Sequence, residues 1–250
     1  MKPNIEQKKG ILLEAVDIRV SFHHIEALKG VSVSIHGGEI LSIVGDNGAG
    51  KSTLIKTLTG NIKPTSGIIR INGTTYKALT PRQAIKEGIS AVYQDLSLGN
   101  TMSAADNLFL GNEKTKFGFL RKKEMNIAAE KLLRDLDIYL PDVRECVGEM
   151  SGGQRQGIAV ARLVQQGGKV LIFDEPTAAM GLNESKKVES LIQKLASQEF
   201  AIILISHNLP QVFSLSDRIC VMRQGTVVKE LNTGETSMDE VVSLITGSRR

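Results

Sequence analysis

Apolar and polar residues alternate through "ILLEAVDIRVSF", "GVSVSIHGGEILSIVG" and "GIIRINGT", and Gly-Gly and Asn-Gly pairs interrupt the alternation. A two-residue period broken by turn residues predicts strands, so the chain opens on a β-rich region. After Lys51 the period lengthens to that of a helix, and "STLIKTLTG" ends on Gly60, a residue suited to stopping one. From about Ser103 to Gln166 the pattern is helical. Met125, Ala128, Ala129, Leu132, Leu133 and Leu136 recur on one face with Lys and Glu between them. The remainder returns to strand and helix by turns: "KVLIFD", then the amphipathic "ESKKVESLIQKLASQ", then "AIILIS". Strands followed by helices predict an α/β fold with a largely parallel sheet, whose ligands lie at the carboxyl ends of the strands. The closing "TSMDEVVSLITG" predicts a helix begun by a capping box of Ser237 and Glu240.

Composition narrows the function classes. A chain of 250 residues with 41% hydrophobic and 23% charged residues is an ordinary globular protein. The formal charge of +4 comes from basic and acidic residues mixed along the chain, apart from short clusters such as "RKK" at Arg121 to Lys123, and aromatics are 4%. Clustered cations with interleaved aromatics mark a nucleic-acid binder, so no nucleic-acid partner is expected. Cys146 and Cys220 have no metal-ligand spacing and are expected as reduced, packed residues. "MKPNIEQKKG" has no apolar run behind its lysines, and no uninterrupted apolar stretch reaches about 18 residues. The chain is therefore expected neither to enter nor to cross a membrane by itself.

The strongest chemical signal is "GDNGAGKST": Gly45, Asp46, Asn47, Gly48, Ala49, Gly50, Lys51, Ser52 and Thr53 satisfy GxxxxGK[ST] between an apolar strand and a helical pattern. The glycines let successive N–H groups turn inward on phosphates at the positive end of the following helix. Lys51 is expected at the β- and γ-phosphates of a nucleotide and the Ser52 hydroxyl on Mg²⁺. The core is thus expected to be a P-loop NTPase. In "VLIFDE", Asp174 ends a buried strand and is expected to hold Mg²⁺ through its water shell. Glu175, one residue on, is expected to accept the proton of the attacking water.

"MSGGQRQ", from Met150, lies between these motifs. With it the chain resembles the ATP-binding cassette (ABC) ATPases, whose hallmark is LSGGQ. Ser151 can cap the helix that follows, and two glycines bare its first N–H groups. The resemblance implies that Ser151, Gly152, Gly153 and Gln154 face the γ-phosphate held by a second cassette, acting in trans. It further implies that Gln94 senses Mg²⁺ and the membrane partner, that His207 contacts the γ-phosphate and helps fix the water, and that Phe22 stacks on adenine. An ordinary core Phe is the alternative at position 22.

The likeness covers nearly the whole chain, and "VYQDLSLGNTMSAADNLFLGNE", "EPTAAMGLNES" and "ISHNLPQVFSLSDRICVMRQG" look like the ATPases of ribose-, xylose- and fructose-type sugar importers. Many of those hold two cassettes in one polypeptide, whereas this chain has one. The resemblance implies a cassette dimer closing on two Mg·ATP, integral membrane permease subunits, an indirectly coupled extracytoplasmic sugar-binding protein, and residence at the cytoplasmic face of the membrane. It places a nucleotide-binding core at about 10–95 and 167–250, an α-helical subdomain at about 96–166, and a glycine, Gly181, where the family's interface loop "AAMGL" commonly carries aspartate. An exporter cassette, a soluble non-transport ABC ATPase and a non-hydrolytic module that dimerises on ATP are the rival readings.

Overall fold

The computed structural model describes residues 10–178 and 180–248. The reading of the first nine residues as carrying no apolar leader lies outside them. Two main sheets divide the strands. An antiparallel sheet of order β2-β1-β4-β5 is built from β1 (Ile11–Phe22), β2 (Ile25–His36), β4 (Ser66–Ile71) and β5 (Thr74–Tyr76). The central sheet has the order β12-β11-β3-β10-β9-β6, from β3 (Ile40–Val44), β6 (Ile89–Val92), β9 (Val170–Asp174), β10 (Ala201–Ile205), β11 (Arg218–Arg223) and β12 (Thr226–Asn232). Its neighbours pair in parallel except for β12, which runs antiparallel along one edge.

The sequence patterns explain this division. β3 and β10 are buried at every residue, which is why "ILSIV" and "AIILI" are apolar runs rather than alternations. One core joins β1, β2 and β4 to α1 (Lys51–Leu58) and one face of the central sheet, through Ile18, Ile35, Leu54, Ile43 and Ile203. On the other face a second core packs Phe173, Leu171 and Ile202 against α3 (Ala104–Phe109), α4 (Lys122–Asp135), α5 (Gly152–Gln165) and α6 (Leu182–Ser197). The short α2 (Pro81–Lys86) precedes β6, α7 (Leu209–Leu215) precedes β11, and α8 (Met238–Thr246) packs Val241 into a third, smaller cluster.

A buried ion pair ties the sheets together. Glu39 is 0% exposed; its carboxylate accepts from the His36 backbone N–H at 2.9 Å and from Arg218 Nη1 at 2.9 Å. Arg218 also donates to the Ser34 carbonyl and to Glu230, so β2, β11 and β12 meet at one guanidinium.

Two expectations need correction. The middle segment is not helical throughout: a hairpin of β7 (Thr115–Lys116) and β8 (Phe119–Leu120) separates α3 from α4, because Phe117 and Gly118 both adopt positive φ and turn the chain back. At α8 the Ser237 hydroxyl accepts from the Glu240 N–H at 3.2 Å, but the box is not closed by Glu240. Its carboxylate is taken instead by Lys229 Nζ and the Thr236 hydroxyl, at 2.8 and 2.7 Å.

Candidate functional site

Four neighbouring strands end level with one another. Ile205 of β10 stands opposite both Asp174 of β9 and Ile43 of β3, and Phe173 of β9 opposite Val92 of β6. The segments leaving their carboxyl ends therefore share one edge: Gly45–Thr53 after β3, His207 after β10, Glu175 after β9 and Gln94 after β6.

The loop after β3 is fixed by glycine. Gly45 (φ +153) lies so close to the Met222 carbonyl that a Cβ would collide with it, and at Gly50 (φ +102) a Cβ would meet the Ala27 carbonyl and Leu28 Cδ2, each at 2.9 Å. These positive-φ positions admit glycine because it has no Cβ to clash. The Gly225 N–H donates to the Ala49 carbonyl (3.0 Å), and the Lys29 N–H donates to the Gly225 carbonyl (2.8 Å), clamping the loop from beneath. Asp46, Asn47, Gly48 and Ser52 remain exposed, while Ala49 is buried. Nothing approaches within 4 Å of a Cβ built on Gly48, so a ligand can reach its backbone. Lys51 Nζ folds over the loop and donates to the Gly45 and Asp46 carbonyls at 2.6 and 2.9 Å. Burial lowers its pKa, against the raising influence of Glu175, Asp46 and Asp174. Phe22 is 45% exposed and pairs with Ile25, two residues before Ala27. It is not a core residue.

Asp174 is half-buried, and its pKa is raised first by desolvation and then by the charge of Glu175, with Lys51 and Lys56 opposing. Glu175 stands at φ 51, a left-handed conformation that costs a non-glycine residue strain and is often retained at working sites. Its N–H donates to the Ile205 carbonyl at 2.9 Å, and its Oε1 lies 2.9 Å from His207 Nδ1. Ser52, Gln94 and Asp174 offer a hydroxyl, an amide and a carboxylate: oxygen donors fit for Mg²⁺, and a divalent cation beside Asp174 would relieve the cost of its burial. Among the described residues no three His, Cys, Asp or Glu side chains gather as a metal cage. That suits an ion held largely by phosphate and water.

At the start of α5 the Ser151 hydroxyl accepts from the Gln154 N–H (3.3 Å) while the Ser151 N–H donates to Gln154 Oε1 (3.0 Å). This is a full capping box, legible as S-x-x-Q but missed by a reading that assigned the cap to Ser151 alone. Ser151 and Gly152 are exposed.

A cleft of about 360 Å³ brings Gly152 of this helix together with Gln94 and Glu175. Gln156, which sequence reasoning also missed, lines it; the side chain is buried and its Nε2 has no hydrogen-bond partner among the described residues. Two further residues support the site without a sequence signal. Arg162 of α5 donates to the Leu96 and Ser97 carbonyls at 2.9 and 3.0 Å, fastening the loop beyond Gln94, and burial lowers its pKa. Buried Gln211 accepts from the Ser206 hydroxyl at 2.9 Å. Its Nε2 donates to Thr177 and Glu189 at 2.9 and 3.1 Å, which joins the segment after Glu175 to α6 and α7.

Gly181 is the N-cap of α6, at φ −69 and ψ 161, and no side chain caps that helix. In the "AAMGL" stretch Ala179 lies outside the described residues.

A family model described as "ABC transporter" matches residues 28–178. The chain is 40% identical over 235 residues to the xylose/arabinose import ATP-binding protein XylG of Sulfolobus acidocaldarius, covering 94% of each chain. It is 39% identical over 246 residues to the fructose import ATP-binding protein FrcA of Rhizobium meliloti, covering 95% of each. Among solved structures, the crystal structure of MJ1267, an ATP-binding cassette of an ABC transporter, superposes with a TM-score of 0.83 at 26% identity, over 94% of this chain and 99% of that one.

Proposed function

The chain belongs to the ABC transporter family, and from that premise we propose that it is the ATP-hydrolysing subunit of a monosaccharide importer. The observation that carries the chemistry is the level carboxyl edge of β3, β10, β9 and β6, which delivers the phosphate loop, His207, Glu175 and Gln94 side by side. The sugar class is supported by end-to-end likeness to relatives named for xylose/arabinose and fructose import.

In this reading residues 45–53 cradle the phosphates of ATP, Lys51 exchanges its carbonyl partners for phosphate oxygens, and Phe22 stacks on adenine. Ser52, Gln94 and, by way of water, Asp174 would hold Mg²⁺, which would supply charge compensation to the phosphates. Glu175 takes a proton from the water that attacks the γ-phosphorus, the bond to the ADP oxygen breaks, and inorganic phosphate leaves. His207, held on Nδ1 by Glu175, presents Nε2 towards the γ-phosphate. Catalysis rests on positioning and charge stabilisation rather than covalent chemistry.

A second cassette, in the simplest case a copy of this chain, presents Ser151, Gly152, Gly153 and Gln154 across the interface, where the exposed amino end of α5 suits an anion. Permease subunits dock near Gln94, an extracytoplasmic sugar-binding protein acts through them, and the subunit sits peripherally on the cytoplasmic face of the membrane. The nucleotide-binding core comprises about 10–95 and 167–250, with the helical subdomain between.

The test is uptake. Vesicles holding the permease, with this protein and ATP on the cytoplasmic side, are expected to accumulate labelled pentose or fructose supplied with its binding protein. ATP-driven movement in the outward direction, or hydrolysis that no permease alters, would overturn the importer reading.

A further inference from the structure

The β7–β8 hairpin projects apolar side chains that the fold does not use. Phe117 is 90% exposed, Phe119 79% and Leu120 51%, and Leu110 at the end of α3 is also exposed. The tip is built at a conformational cost. Phe117 (φ 52) and Gly118 (φ 84) form a two-residue loop with both φ positive, a geometry that favours Asn-Gly and penalises a bulky first residue. An aromatic ring at this position works against the turn, so its use lies outside the fold.

Charge indicates what the rings meet. Between positions 110 and 125 the cations Lys114, Lys116, Arg121, Lys122 and Lys123 face two acids, Glu113 and Glu124, a net +3 of the chain's formal +4. Arg121 pairs with Glu124, and Lys122 with Asp106 at 3.4 Å. Lys116 Nζ lies 5.6 Å from the centre of the Phe117 ring, and Lys114 Nζ 5.6 Å from that of Phe109. The Phe109 ring is buried, but Phe117 is exposed, and a lysine ammonium beside an exposed ring, with further cations next to it in the chain, combines an apolar wedge with positive charge, the pairing that binds the anionic surface of a bilayer. We infer that this hairpin is a membrane-surface anchor, inserting Phe117 and Phe119 among anionic phospholipid headgroups. The inference goes beyond the importer reading, and its lipid-binding readouts need neither transport nor hydrolysis, so its failure leaves that reading standing.

The chain contains no tryptophan, so Phe117→Trp introduces a single reporter at the tip. Added vesicles of phosphatidylcholine with about one-third phosphatidylglycerol are expected to shift its emission to the blue, and added salt to reverse the shift. Phosphatidylcholine alone is expected to leave it unchanged. In co-sedimentation the Phe117→Ser/Phe119→Ser double variant should bind anionic vesicles roughly tenfold more weakly than the parent. Lys114→Gln/Lys116→Gln should weaken anionic binding as well, and unchanged nucleotide affinity in both variants reports an intact fold. Emission indifferent to vesicles, equal response to neutral and anionic lipid, or parental binding by the double variants would overturn the inference. So would a hairpin-dependent dimer in solution, or protection of the tip by a permease in lipid-free detergent, each of which assigns the rings to a protein partner.

Discussion

His207 Nδ1 stands 2.9 Å from Glu175 Oε1, so the side chains leaving the ends of β10 and β9 touch. His207 is 75% exposed at its side chain and Glu175 29%, so the imidazole approaches from the solvent side and the carboxylate holds it. The edge of the sheet thus pre-positions the two groups with which the proposed hydrolysis begins.

Replacing Glu175 with Gln keeps the shape and removes the proton acceptor. ATP affinity, measured by equilibrium binding, is expected to remain, while phosphate release falls at least about 100-fold. His207→Ala should lower turnover too while leaving nucleotide affinity near the parent's. Full hydrolysis by the Glu175 variant would contradict its role as base.

Glu39 lies at the junction of the sheets, immediately before β3. Glu39→Ala leaves the mostly buried guanidinium of Arg218 with Glu230 and the Ser34 carbonyl but takes away its buried carboxylate partner and frees the His36 N–H, and it is expected to cost about 1–3 kcal/mol in urea unfolding. Glu39→Gln retains an acceptor and should cost less. An unchanged midpoint in both would refute the importance of the pair.

Cys220 is buried, and desolvation, reinforced by Glu230, pushes its thiol up from 9.0 to about 12. Above pH 9 the unfolded chain releases this proton while the native protein keeps it, so stability falls as pH rises from 9 towards 12. Relative to Cys220→Ala, the parent should lose about 1.4 kcal/mol more per pH unit in that window, a difference from which groups shared by the two proteins cancel. Parallel stability curves would show that the thiol does not stay protonated.

Gly181 has a backbone conformation open to any residue, and nothing lies within 4 Å of a Cβ built there. Gly181→Asp can cap α6 through the Glu184 N–H, and a gain of a few tenths of a kcal/mol in stability is expected. If the missing carboxylate loosens communication between two cassettes, the same variant should raise the cooperativity of hydrolysis in ATP concentration. Unaltered cooperativity and transport would place the glycine outside that communication.

The sequence disclosed what depends on local pattern. "GDNGAGKST" declared its loop because a tight turn before a helix restricts which residues can stand there, and "AIILI" declared a strand buried on both faces. Contacts set by tertiary packing left no such trace. Glu39 and Arg218 are 179 positions apart, and the partners of Gln211 come from a strand end, a loop and a helix. The β7–β8 hairpin escaped because Phe-Gly is not a usual sign of a turn with two positive φ angles. At Glu240 the local S-x-x-E pattern was present, but Lys229 and Thr236 competed for the carboxylate.

The long excursion from the end of β6 to the start of β9 joins two strands that pair in parallel, Ile89 beside Val170. It is an enlarged crossover connection, leaving the sheet at the working edge and returning at the opposite one. Its length and contents can therefore differ without reordering a single strand of the central sheet. The strand order of the central sheet is thus independent of what fills the excursion, while Gln94 at its start and Gly152 within it bring the excursion back to the same edge as the phosphate loop.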